Sequence, residues 1–183
     1  MSTAEVARLF RVSVPTIQRW VDAGHLKAWK TPGGHRRVDA ASVQALRAGP
    51  VQAAAAGAVQ VVVVDDNPDD RDLLEAIVHE ALPGALVAVF DNAVQALVAI
   101  GRHAPAIVIT DIVMPHMDGL EMIHQLSGHC EVQPRLLVVV SATLPRSSAL
   151  ARGMPDGAVF MAKPLDAPRL VALLRQHDPG RSA

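Results

Sequence analysis

The sequence predicts an α/β protein: a doubly wound, five-stranded parallel sheet preceded by a small, mostly helical domain. Three observations predict it. From residue 60 onward, strand-like apolar runs alternate with segments of helical spacing, the pattern of a parallel sheet wrapped on both faces. Charge divides along the chain. Residues 1–48 carry eight Lys and Arg against three Asp and Glu, net +5, whereas residues 49–183 carry nine against fifteen, net −6. Between them, residues 49–58 are small, uncharged and without amphipathic period, which reads as a linker. Half of the 183 residues are hydrophobic, enough for a buried core and too many for wholesale disorder.

The head is justified element by element. Ser2 and Glu5 stand at capping-box spacing before Val6, Leu9 and Phe10, so a first helix is expected over residues 2–10. Arg11-Val12-Ser13 is a short turn. Ser13 is placed to cap a second helix with Pro15 in its first turn, Val14, Ile17, Trp20 and Val21 as its apolar face, and Gly24 as its stop. His25–Val38 then carries Thr31-Pro32-Gly33-Gly34, a turn flanked by Lys27, Lys30, Arg36 and Arg37, which fits a two-stranded basic hairpin. Asp39 caps a closing helix whose Val43 and Leu46 pack inward.

In the second domain, Gln60–Val64 is a β-branched run suited to a strand covered on both faces. Helical spacing follows over Arg71–Leu82, then a strand over Ala85–Phe90 and a helix over Ala93–Arg102. Ala106–Thr110 is a third strand, Leu120–Leu126 is helical, Leu136–Val140 is a fourth strand and Ala158–Met161 a short fifth. Asp166 and Pro168 open a last helix over Arg169–Gln176. The expected organisation is a head at 1–48, a linker at 49–58, a sheet domain at 59–178 and a tail at 179–183.

Composition excludes several classes. A single cysteine, Cys130, allows no intrachain disulfide and no cysteine-built metal cage, and fits a reducing compartment. The start of the chain has no secretory pattern, and runs such as Val61–Val64 fall far short of the roughly 18 apolar residues of a membrane helix. The expectation is a cytoplasmic protein without membrane contact.

Ligands of doubly wound sheets sit beyond the carboxyl ends of the strands. Asp65 and Asp66 follow the first strand, Asp111 the third and Lys163 the fifth, while Ser141 ends the fourth. Carboxylates gathered there repel one another, and a divalent cation relieves the repulsion; Mg²⁺ takes oxygen ligands, keeps several waters and bridges to phosphate. Asp-Asp after a strand is by itself a common helix cap, and Ser141 or Lys163-Pro164 alone reads as a cap or a turn; one polar group at each of these strand ends is the stronger signal.

The segments VVVVDDN, TDIVMPHMDG, VVVSA and FMAKP, with 30 residues from Asp111 to Ser141 and 22 from Ser141 to Lys163, resemble the receiver domain of bacterial response regulators, which is flavodoxin-like. The resemblance spans residues 59–177. It implies that Asp111 is the phosphoacceptor, that Asp66, Asp111 and the backbone carbonyl of Val113 ligate Mg²⁺ directly, and that Asp65 acts through a bound water. It also implies that Ser141 and Lys163 hold phosphoryl oxygens, that Pro115 and Gly119 shape the loop after the acceptor, and that Ser141 and Phe160 form the switch. The segment between Ser141 and Phe160 departs from the family: Pro145, Gly153 and Pro155 confine the fourth helix to about Arg146–Arg152.

The text VSVPTIQRW, GHL and TPGGHRRV resembles the MerR/excisionase-type winged helix-turn-helix over residues 2–47. That resemblance implies DNA binding, with Thr16, Gln18 and Arg19 on the helix entering the major groove, and Lys30, His35, Arg36 and Arg37 on the wing meeting phosphates or the minor groove. Trp20 is expected in the core, while Trp29 is open to either role. Arg19 has a competing use as a partner of Asp22.

Together the two resemblances imply a two-component regulator rather than an enzyme. DNA, a partner histidine kinase or phosphotransfer protein, and a second copy or tandem copies of the chain on DNA are its expected partners. A haloacid-dehalogenase-type phosphatase would need a second Asp at Val113, and a two-metal nuclease would leave Ser141 and Lys163 without a task. Two further alternatives stay open: a protein-binding phosphotransfer module, and a constitutive DNA-binding protein whose receiver is never phosphorylated.

Overall fold

The computed structural model describes residues 1–48, 59–114, 122–125, 133–142 and 157–178. The linker, the tail, Pro115, Gly119, Cys130 and the expected short fourth helix lie outside the described residues.

The head begins with α1 (Thr3–Phe10) and α2 (Val14–Asp22). Ser2 and Glu5 form the reciprocal capping box, and Ser13 Oγ accepts from the Thr16 amide at 3.2 Å. Gly24 takes φ +84° after α2, the left-handed geometry that favours glycine. Strands β1 (Ala28–Lys30) and β2 (Arg36–Val38) form the antiparallel hairpin, with Trp29 opposite Arg37. Helix α3 (Ala40–Arg47), capped by Asp39, closes the head. Its core joins Val6, Phe10, Ile17, Trp20, Leu26, Val38 and Val43, and the Phe10 and Trp20 rings meet at 5.7 Å, tilted by 56°.

The second domain runs β3 (Gln60–Val64), α4 (Pro68–Ala81), β4 (Leu86–Phe90), α5 (Ala93–His103), β5 (Ile107–Asp111), β6 (Leu136–Ser141), β7 (Val159–Ala162) and α6 (Ala167–Gln176). Residues 122–125 are helical. The strands are parallel in the order β4-β3-β5-β6-β7, so the chain reverses its direction of winding between β3 and β5. Most strand bounds differ from expectation by one residue. The larger difference is α4, which starts at Pro68 rather than Arg71: Asn67 caps it, accepting from the Asp69 amide at 2.9 Å, and its polar first turn carries no apolar period.

The pleat sorts the sheet into two faces. Val61, Val63, Ile107, Ile109, Leu136, Val138 and Val140 pack with α4 and α6; Val62, Val64, Val108, Leu137 and Val139 pack with α5. Seven of the eleven α5 residues are buried, more than one sheet-facing stripe requires. The head covers the remainder: α1 and α3 both contact α5. Val6, Ala7 and Phe10 belong to the same apolar cluster as Leu97, Val98 and Val108, so one core runs from the head into the sheet. Arg102 Nη1 donates to the Arg47 carbonyl at the end of α3. At Gly101, a Cβ would stand 3.3 Å from the Phe10 carbonyl oxygen, so glycine permits the close approach of α1.

Gly101→Leu should therefore part the head from α5 at a cost of about 1–3 kcal/mol. Calorimetry should show one melting transition for the wild type and two for the variant, the head melting first; a single unshifted transition would mean the contact carries no stability.

Candidate phosphoryl-accepting site

The carboxyl ends of β3, β5 and β7 meet in one cleft. Asp65 is fully buried and Asp111, the last residue of β5, nearly so, while Asp66 is exposed. One carboxylate oxygen from each of these three lies within 4.8 Å of the other two. Lys163 follows β7 and reaches back across the cleft. Its ammonium donates to Asp65 Oδ2 at 2.8 Å and to Asp111 Oδ2 at 2.7 Å. The Lys163 amide donates to the Ser141 carbonyl at 2.9 Å, so the end of β6 fixes where the lysine enters. Lys163-Pro164 is cis.

Backbone donors hold the two buried carboxylates. The Asn67 amide donates to Asp65 Oδ1 and the Val113 amide to Asp111 Oδ1, both at 2.9 Å. The Val113 side chain is 66% exposed. Ser141 is buried at the strand end, and Phe160 is half-buried on β7 against the α5-side core.

Two residues of this site escaped the sequence reading. Asp70, in the first turn of α4, accepts a third hydrogen bond from Lys163 Nζ at 2.7 Å. Arg71 Nη1 donates to the carbonyls of Asp65 and Asp66 at 2.8 and 2.9 Å, pinning the turn that presents them. The signal was Asn67-Pro68-Asp69-Asp70, a helix-start pattern that places Asp70 and Arg71 one turn from the Asp pair.

Burial pushes the Asp65 carboxyl above its ordinary pKa, against the pull of the Lys163 and Asn67 hydrogen bonds. Burial also works against the Lys163 ammonium, but hydrogen bonds to Asp111, Asp65 and Asp70 outweigh it and hold the lysine above its ordinary value. The lysine therefore stays charged while the cleft retains excess negative charge. Three clustered carboxylates, two of them buried, form the hard-oxygen donor set that Mg²⁺ takes, and the fit is good.

The head places its candidates differently. Gln18 and Arg19 are exposed on α2, and Lys30, His35 and Arg37 are exposed on the hairpin. Thr16 is a correction: it is fully buried, with its hydroxyl 2.7 Å from Ser13 Oγ, so it braces the start of α2 and is not on the open face. Arg36 pairs with Asp22, at 2.9 Å, and ties the hairpin to α2. Trp20 is buried; Trp29 is 53% exposed.

Comparison with known proteins agrees with this fold. Residues 61–175 match the response regulator receiver domain, and residues 1–49 match a helix-turn-helix domain. An uncharacterized 14.6 kDa protein from the sodA1 3′ region of Leptolyngbya boryana is 34% identical over 65% of this chain and 89% of its own length. The C4-dicarboxylate transport transcriptional regulatory protein DctD of Rhizobium meliloti is 34% identical over 68% of this chain, but the chain spans only 26% of that protein. Among solved structures, the N-terminal domain of an uncharacterized protein from Wolinella succinogenes has a TM-score of 0.55 at 28% identity, covering 66% of this chain and 94% of that one. The chemotaxis response regulator CheY4 of Vibrio cholerae has a TM-score of 0.56 at 19% identity over 66% of this chain and 98% of its own, a likeness of fold.

Lys163→Met should destabilise the fold by about 3–5 kcal/mol, because it leaves buried carboxylates uncompensated. The raised Asp65 pKa sets the sign of the pH effect: the ionised carboxylate costs stability, and that cost fades as pH falls through the folded-state pKa. Urea unfolding should show the variant's deficit shrinking from pH 7 toward pH 4 and shrinking with added Mg²⁺. A deficit independent of both would count against the charge cluster. The chain belongs to the response regulator receiver family and carries a helix-turn-helix head.

Proposed function

We propose that Asp111 takes a phosphoryl group from a phosphohistidine on a partner histidine kinase or phosphotransfer protein, and that this controls DNA binding by the head. One observation carries the reading: the Lys163 ammonium sits within hydrogen-bond reach of Asp111 at the rim where the Asp65, Asp66 and Asp111 carboxylates converge.

In the transfer, an Asp111 carboxylate oxygen bonds to phosphorus as the phosphorus–nitrogen bond breaks, and the electron pair returns to the imidazole. The chain's part is positioning and charge compensation. The Val113 amide fixes the acceptor carboxylate through one oxygen, and Lys163 stands beside the other to meet the transferred group. Asp66, Asp111 and the Val113 carbonyl would hold Mg²⁺, with Asp65 acting through a bound water. Bound there, the cation offsets charge on the phosphoryl oxygens. Ser141, buried beside the acceptor, would take another phosphoryl oxygen, and half-buried Phe160 would turn inward behind it, converting a local charge into a packing change.

For the head, the reading assigns base contacts to Gln18 and Arg19 and backbone contacts to Lys30, His35, Arg36 and Arg37. Arg36 also keeps the hairpin in register with α2 through Asp22. A module of this size buries about 600–1,000 Å² on DNA, so tight binding calls for a dimer or tandem copies.

Intact-mass spectrometry after treatment with acetyl phosphate and Mg²⁺ should show one added phosphoryl group on the wild type and none on Asp111→Asn. Retention of the group in the variant would move the acceptor elsewhere. DNA affinity should fall steeply with salt, and Arg19→Ala combined with Arg37→Ala should weaken it by about 10-fold or more. Affinity indifferent to salt and to both substitutions would remove the head from DNA.

A further inference from the structure

Lys163 has three donor hydrogens, and all three go to carboxylates: Asp65, Asp70 and Asp111. Asp65 and Asp111 sit at strand ends and belong to the carboxylate cluster fit for a cation. Asp70 does not belong to that cluster. It comes from the first turn of α4, its side chain is 34% exposed, and its contact in the cleft is with the lysine. The ammonium, at the tip of a side chain that is 20% exposed, is thus shared by one carboxylate more than the acceptor chemistry uses.

We propose that Asp70 is a positioning residue that competes with the incoming phosphoryl group for Lys163 and thereby sets how tightly the cleft retains that group. The inference rests on the reading of Asp111 as acceptor. A phosphoryl group brings charge of about −1.5 to −2 and several strong acceptor oxygens into a cleft where every donor of the ammonium is already engaged. Lys163 meets the group with a charge that Asp70 partly neutralises, while the Asp70 carboxylate itself repels the newcomer. Removing the Asp70 charge strengthens retention of an anion for both reasons. The same removal leaves the cleft less negative and weakens its hold on a cation. The two signs are opposite, and a purely structural role for Asp70 would not produce them: loosening the start of α4 would disturb Asp65, Asp66 and Lys163 together and weaken both ligands.

The test uses the full chain and two probes. Calorimetry measures Mg²⁺ binding, and fluorine NMR measures binding of beryllofluoride, a phosphoryl mimic, at saturating Mg²⁺. For Asp70→Asn, beryllofluoride should bind roughly 10-fold tighter and Mg²⁺ several-fold weaker, the scale of removing one charge at close range in a partly screened site. Should that variant fail to fold, Asp70→Ser carries the same two expectations. Both ligands weakening together, or neither changing, overturns the proposal while leaving the acceptor reading in place. Failure of the wild type itself to bind beryllofluoride overturns the acceptor reading, and this inference with it.

Discussion

The receiver site depends on one electrostatic constraint: several carboxylates held together at the end of a sheet, with one ammonium among them. Carboxylates at such separations repel, and burial raises the cost, so the arrangement persists only because other elements enforce it. Strand register brings Asp65 and Asp111 to the same rim. The Asn67 and Val113 amides each satisfy one carboxylate oxygen, and Arg71 pins the turn after β3. Lys163 supplies the counter-charge, held in place through its own amide on Ser141. What results is a polarised cleft that still carries more negative than positive charge, a balance that favours a bound cation.

The second constraint is mechanical. Helix α5 is apolar on more than one side because it is packed between the sheet and the head, and a continuous cluster reaches from Phe10 and Val6 through Leu97 and Val98 to Ile112 and Met114, just past Asp111. The docked head leaves Gln18 and Arg19 exposed, so contact with the receiver does not cover the outward face of α2. A change of packing near Asp111 therefore meets a core shared with the head, which links the two modules through side-chain contact in addition to the covalent connection.

Much of this was legible in the residues, for identifiable reasons. Parallel strands buried on both faces announce themselves as β-branched runs, and the residues at their carboxyl ends must converge, so Asp65, Asp66, Asp111, Ser141 and Lys163 could be gathered without coordinates. Asp70 and Arg71 were missed because apolar spacing starts only at Leu73: the residues before Arg71 looked like loop, and Arg71 read only as the polar start of a helix. Thr16 was misassigned because three residues after Ser13 on the capped helix α2 it lies beside Ile17 and turns inward, where its hydroxyl meets the capping side chain. The docking of α1 and α3 on α5 is a tertiary event. Its trace in the sequence, an α5 with neither Asp nor Glu and no basic residue before Arg102, indicates that something covers the helix without naming the partner.

The most direct measurement of the shared cleft is paramagnetic broadening by Mn²⁺ in place of Mg²⁺, read across the backbone resonances of the full chain. If the carboxylates and the lysine surround one ion, signals near Asp65, Asp66, Asp111, Val113 and Lys163 should vanish together at low Mn²⁺ and return when Mg²⁺ competes. Broadening at only one of these strand ends, or centred on the histidines instead, would contradict it.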